Sequence, residues 1–149
     1  MTKPLAVITG ASSGIGEATA KIFSEAGYPT LLLARRIEIM ESFKLKNSIC
    51  KKVDVRDREA LVAAVREAEA IYGPTDMMFN NAGVARLADI STQDPNEWDE
   101  MIDVNTKGVM NGIYAVMSDM KARKSGTIVN MSSIAGRSHP WHYQTASAR

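Results

Sequence analysis

The sequence predicts a doubly wound α/β sheet, and three observations carry that prediction. The runs Leu5-Ala6-Val7-Ile8-Thr9 and Leu31-Leu32-Leu33-Ala34 are apolar without polar alternation, the pattern of strands buried on both faces of a parallel sheet. Between such runs lie segments whose apolar residues recur at spacings of three and four, the pattern of helices with one buried face. The two patterns alternate five times, which implies β-α units joined by right-handed crossovers.

Each element has its own signal. Gly10 stops the first strand at once, and from Ile15 the apolar positions Ala18, Thr19, Ile22, Phe23 and Ala26 predict a helix closed by Gly27. After the strand at 31–34 comes a short, poorly patterned helix, and the segment from Ile49 to Val55 contains the third strand. Asp57 is placed to cap a helix carrying Leu61, Ala64, Val65, Ala68 and Ile71, and Met77-Met78-Phe79 is the fourth strand. Asp94-Pro95-Asn96-Glu97 combines an N-cap acid, a proline at the first helical position and a Glu spaced for a capping box. The helix it starts is expected to run to Met120, with Trp98, Met101, Ile102, Val109, Ile113, Val116, Met117 and Met120 as its stripe. Thr127-Ile128-Val129-Asn130-Met131 is the fifth strand.

Composition narrows the function classes. A length of 149 residues suits one compact domain, and 45% apolar with 23% charged residues excludes collagenous, low-complexity and wholly disordered chains. Eighteen Lys and Arg against seventeen Asp and Glu leave a net charge of +1, which offers no field for nucleic acid or an anionic membrane. Neither partner is expected. Cys50 stands alone, so no internal disulfide forms, and it reads as a small core residue. With no signal-like segment, the expected location is cytoplasmic. His139 and His142 have a two-residue gap but no third ligand, so no metal site is expected.

Chemistry concentrates at the strand ends. Thr9-Gly10-Ala11-Ser12-Ser13-Gly14-Ile15-Gly16 stands between the first buried strand and its helix. Glycines there let the backbone approach a pyrophosphate, while unpaired N–H groups and the helix dipole favour its charge. A tight structural turn is the alternative, and the position between strand and helix favours nucleotide binding.

The turn resembles the Gly-x-x-x-Gly-x-Gly segment of the short-chain dehydrogenase/reductases, and four further matches follow in order. They are Val53-Asp54-Val55, Asn80-Asn81-Ala82-Gly83, Asn105 within Asp103-Val104-Asn105-Thr106-Lys107-Gly108, and Ile128-Val129-Asn130-Met131-Ser132-Ser133. The resemblance implies a Rossmann-type sheet of order 3-2-1-4-5, a nicotinamide cofactor, and hydride transfer between an alcohol and a ketone or aldehyde. It makes residues 1–137 the dinucleotide-binding domain and 138–149 a divergent tail. It implies that Gly10, Ser12, Ser13, Gly14, Ile15 and Gly16 surround the pyrophosphate and adenosine ribose. Asp54 then meets the adenine amino group with Val55 packed nearby, and Asn81, Ala82 and Gly83 line the cofactor. A surface capping acid is the alternative reading of Asp54.

Where NAD-preferring members of the family carry an acid for the ribose 2′-hydroxyl, this sequence has Ala34, followed by Arg35 and Arg36. Two guanidiniums suit a 2′-phosphate, so NADP(H) is expected over NAD(H); a solvated arginine pair is the alternative. Asn105 falls on the apolar stripe, where an unpaired buried amide costs about 1–3 kcal/mol. It is either a core asparagine satisfied by backbone or water, or, as the resemblance implies, a residue that disturbs the helix and holds a water of the proton relay. Ser133, with Ser132 as the other register, corresponds to the serine that hydrogen-bonds the substrate.

The resemblance breaks near Ser138. The family's general acid/base is a tyrosine followed four residues later by a lysine, which draws a phenol that ordinarily titrates near ~10 toward neutrality. Tyr143 is the one candidate, at a shorter interval from Ser133 than the family uses; Ser147 stands in the lysine's place, and Lys124 is the last lysine. The reading that follows is a truncated or frameshifted form, with a catalytically impaired nucleotide-binding fragment as the alternative to an active enzyme. The fifth strand is then expected to be an exposed edge and the methionine-rich stripe half of a subunit interface, so that the family's homo-oligomer gives way to non-native association.

Overall fold

The structure, a computed structural model, describes residues 3–86 and 88–134. Tyr143, His139, His142 and the whole of the expected tail lie outside the described residues. Five parallel strands form one sheet in the order β3-β2-β1-β4-β5, which is the expected order. They are β1 Leu5–Thr9, β2 Thr30–Ala34, β3 Ser48–Lys52, β4 Thr75–Asn80 and β5 Thr127–Asn130. The helices between them are α1 Gly14–Glu25, α2 Ile37–Ser42, α3 Arg58–Tyr72, α4 Pro95–Ile102 and α5 Gly108–Arg123, the last two joined by a π-helical turn, Asp103–Lys107.

Every residue of β1 and β2 is buried, because helices cover both faces of the sheet there. Alternate side chains go to opposite layers. Leu5, Val7, Leu31, Leu33 and Met78 pack against Leu61 and Val65 of α3 and Val116 and Met120 of α5. Ile8, Leu32 and Phe79 pack on the other face against Ala20 of α1 and Met40 of α2. Leu31, Leu32 and Leu33 are fully buried, each adding about 1.5–3 kcal/mol of hydrophobic stabilisation.

Three helical expectations are corrected. In α1 the buried residues are Gly16 and Ala20, whereas Ala18 is exposed and Ile22 is 62% exposed. The helix leaves β1 through a tight turn and lies so close to the sheet that only small side chains fit beneath it. The helix expected from Pro95 to Met120 is interrupted by the π turn, and its stripe is split: Met101, Val116 and Met120 are buried, whereas Ile102 and Met117 are exposed. Asp94 caps α4 by accepting from Asn96 N at 2.9 Å, but Glu97 accepts from Gln93 Nε2 at 3.2 Å instead of closing a capping box. The Asp57 cap forms as expected, on Ala60 N at 2.9 Å.

Among the described residues β5 pairs with β4 alone and is largely exposed. Met110, Tyr114 and Met117 line one outer face of α5, whereas Met101 and Met120 of the expected stripe are buried, so only Met117 of its methionines is exposed.

Candidate functional site

The C-terminal ends of β1, β2 and β4 open onto a cavity of about 770 Å³. In such sheets a ligand crevice forms at this edge, where the chain reverses its direction of travel across the sheet. The floor is the turn after β1. Gly10 has φ 65°, a left-handed conformation that glycine adopts without strain. A Cβ on it would lie 2.7 Å from Ala82 Cα and 2.9 Å from Ala82 N, so the turn is seated directly on the chain leaving β4. A Cβ on Gly16 would strike the Gly10 carbonyl and lie 2.6 Å from Asn81 Nδ2. Ser13 precedes α1 in extended conformation beside the cavity, and its side chain leaves the first-turn N–H groups without a cap.

Thr9 locks this floor to β4. Its hydroxyl donates to Phe79 O at 3.3 Å and accepts from Asn81 N and Ala82 N, both at 3.0 Å. Asn81 Nδ2 returns to Thr9 O at 3.1 Å and Gly10 O at 3.2 Å. The Asn-Ala-Gly segment is therefore held rigidly against the glycine turn. Deeper in, Asn80 Nδ2 donates to Asn130 Oδ1 at 2.9 Å, while the buried Asn80 Oδ1 faces Gly112, where a Cβ would collide with it.

The far wall is built from the π turn, through Val104 and Asn105, and from Val109 of α5. Asn105 sits in the π turn, its Oδ1 accepting from Val84 N and its Nδ2 donating to Val84 O, both at 2.8 Å. Both groups of the amide are thus satisfied by backbone, and the helix is locally widened, the disturbance expected at this residue. Asn111 makes a second such anchor: Nδ2 donates to Val55 O at 2.8 Å and Oδ1 accepts from Arg58 Nε at 2.9 Å. A polar residue among the buried positions of a helix was the signal for both, although only Asn105 was singled out.

Charge surrounds the mouth. Asp54 accepts from Arg56 through Nε at 3.0 and 3.1 Å, through Nη2 at 2.6 Å and through the backbone N at 3.0 Å. The Arg56 guanidinium holds this carboxyl below the usual carboxylate range, partial burial opposes it, and Arg35 adds to the lowering. Arg36 Nη2 donates to Ser12 Oγ at 3.4 Å, bringing a guanidinium to the turn. No acid stands at the end of β2, where Ala34 is buried.

The cavity brings together Gly10, Ser12, Ser13, Ile15, Arg35, Arg36, Asp54, Val55, Asn81, Ala82, Gly83, Asn105, Ser132 and Ser133. Gly14, with φ 57°, and the buried Gly16 shape the turn without lining the cavity. Both serine registers face it. Thr9, Asn80, Asn111 and Asn130 were not anticipated as parts of the site. Among the described residues no cluster of metal-ligating side chains occurs, and no helix is long and apolar enough to cross a membrane.

Known proteins share this arrangement. The profile of the short chain dehydrogenase family matches residues 4–148. An uncharacterized oxidoreductase of Listeria innocua, Lin0452, is 45% identical over 136 residues, covering 87% of this chain and 55% of its own. Oxidoreductase UcpA of Escherichia coli K12 is 40% identical over 144 residues, covering 91% and 54%. Among solved structures, a metagenomic short-chain oxidoreductase in complex with NADP superposes with a TM-score of 0.83 at 33% identity, covering 92% of this chain and 65% of that one. The crystal structure of serine dehydrogenase from Escherichia coli gives 0.86 at 30% identity, covering 91% and 65%. The chain spans about half the length of the curated relatives it matches. With nearly all its residues inside the family profile and its sheet matching solved members, the chain belongs to the short-chain dehydrogenase/reductase family.

Proposed function

We propose that the cavity holds a nicotinamide dinucleotide and that the chain is the cofactor-binding part of an NADP(H)-dependent oxidoreductase, moving hydride between an alcohol and a ketone or aldehyde. One observation carries the reading. The Gly10–Gly16 turn, sterically closed to any side chain at Gly10 and Gly16, opens onto a cavity of about 770 Å³ below an uncapped helix terminus. Backbone donors there suit a pyrophosphate, and the Ser13 side chain does not compete for them.

On this reading Ser12, Ser13 and Ile15 border the pyrophosphate, and the Asp54 carboxylate accepts from the adenine amino group as well as from Arg56 while Val55 packs on the ring. Asn81, Ala82 and Gly83 line the ribose, held by Thr9 and by the Asn105 bridge to Val84. Arg35 and Arg36 at the end of β2 favour a 2′-phosphate, since guanidinium forks match phosphate oxygens. One solved neighbour of this fold is itself a complex with NADP. The bound nicotinamide supplies or accepts the hydride, and Ser133, or Ser132 in the other register, orients the substrate oxygen. A small-molecule alcohol or carbonyl compound is the partner.

A second reading rests on one sequence fact. Ser147 stands four residues after Tyr143, where the family's tyrosine–lysine spacing would place the lysine. That favours a nucleotide-binding chain with impaired turnover. Titration with NADPH and with NADH, followed by cofactor fluorescence, tests the first part: saturable binding that prefers NADPH is expected, and no binding by a folded sample would overturn it. Mixing the complex with carbonyl compounds then separates enzyme from binding module by the loss of NADPH absorbance.

A further inference from the structure

Beside the cavity, paired with its lining residue Arg35, stands an acid that neither the family motifs nor the glycine turn account for. Glu100 projects from α4, and its two oxygens are used differently. Oε2 accepts from Arg86 Nη2 at 2.8 Å and Nε at 3.2 Å, which fixes the carboxylate to the segment after β4. Oε1 lies 3.9 Å from Arg35 Nη1, an ion pair too long to be a hydrogen bond. Exposure sharpens the contrast: the Glu100 side chain is 23% exposed, whereas Arg35 is 59% exposed. The acid is fixed and the arginine is free to move.

Arg35 is one of the two cavity-lining cations at the end of β2. Its other acidic neighbour, Asp54, already has both oxygens taken by Arg56. Glu100 is therefore the acid with an oxygen still directed at Arg35. Resting on the reading of this cavity as a nicotinamide dinucleotide site, we propose that Glu100 is a specificity-determining residue, an anionic competitor for Arg35 that weakens selection for the cofactor's 2′-phosphate.

The chemistry works through charge alone. A 2′-phosphate brings a charge of about −1.5 to −2 and three acceptor oxygens, enough to draw the exposed Arg35 away from a contact of this length. Glu100 does not leave with it, because Arg86 retains Oε2, so a carboxylate persists beside the bound phosphate and repels it. A ribose with a free 2′-hydroxyl carries no charge there and is indifferent. Glu100 thus lowers the ratio of NADPH to NADH affinity without touching either cofactor.

The test is equilibrium titration of the protein and two variants with NADPH, NADH and 2′,5′-ADP, at low and high salt. Glu100→Gln, isosteric and on a helix surface, is expected to tighten NADPH and 2′,5′-ADP by about three- to tenfold at low salt, the scale of one partly screened charge, and to leave NADH within about twofold. The gain shrinks at high salt. Arg86→Gln frees Oε2 to join Oε1 on Arg35 and is expected to weaken NADPH while sparing NADH. Equal shifts for both cofactors, or no gain for NADPH in Glu100→Gln, would overturn the proposal, since Glu100 would then shape the cleft rather than set its charge. Failure of the unaltered protein to bind either cofactor would overturn the nicotinamide reading itself and this inference with it.

Discussion

Replacing Gly16 with alanine sets two effects of opposite sign against each other. In an exposed helix, alanine is favoured over glycine by about 1 kcal/mol, so propensity alone predicts a more stable protein. At this position the new methyl would meet the Gly10 carbonyl, with Gly10 C at 2.9 Å and Asn81 Nδ2 at 2.6 Å. Two of those atoms are the Gly10 carbonyl, backbone held by Asn81 Nδ2 that cannot yield cheaply. Overpacking of this kind costs about 1–3 kcal/mol. Pushing Asn81 aside also breaks its bonds to Thr9 O and Gly10 O, each worth about 1 kcal/mol. The net expectation is a loss of about 2–4 kcal/mol, with crowding and lost hydrogen bonds outweighing propensity. Urea unfolding of Gly16→Ala beside the unaltered protein reads this directly, and NADPH binding should fall with it because the turn changes shape. A variant as stable as the parent, or more so, would refute the close seating of α1 on β4.

Other expectations follow from single contacts. Asn105→Ala removes both partners of Val84 and should cost about 1–3 kcal/mol; amide exchange at Val84 should quicken sharply, and retained protection would contradict the bridge. Asp54 is held ionised by Arg56, so its folded pKa lies below its unfolded one. Its stabilisation is complete above the ordinary value of about 3.9 and is lost as pH falls through that range toward the lowered folded value. The unaltered protein should exceed Asp54→Asn in stability near neutrality, with the gap closing in urea melts below about pH 4; a gap independent of pH would count against the ion pair.

Much of the fold was legible because burial leaves a plain trace. β1 and β2 lie between two helical layers, so their sequences are unbroken apolar runs. β3 left a weaker trace, being an edge strand that ends in Lys51 and Lys52. The buried face of α1 was misread because its large apolar residues point outward and Gly16 and Ala20 face inward, where closeness rather than hydrophobicity decides. The π turn has no periodic signature, because it arises where Asn105 pairs with Val84, 21 residues away in sequence.

The site divides along the same line. The glycine turn, Asp54-Val55, the Asn-Ala-Gly segment and Ser132-Ser133 occupy contiguous stretches and line the cavity as motifs. Thr9 escaped notice as a hub because its partners lie 70 or more residues away. The Glu100–Arg35 pairing escaped for the same reason, since charges on separate elements meet only after the sheet has formed.

The measurement that bears most directly on the central claim is an amide chemical-shift map of the protein titrated with NADPH. The account predicts saturable shifts at Gly10, Ser12, Gly16, Asn81, Ala82 and Asn105, around the C-terminal ends of β1 and β4. It predicts none at Lys124 and Ser125, which lie before β5 at the opposite end of the sheet. Shifts confined to that opposite end, or none at NADPH concentrations that saturate relatives, would contradict it.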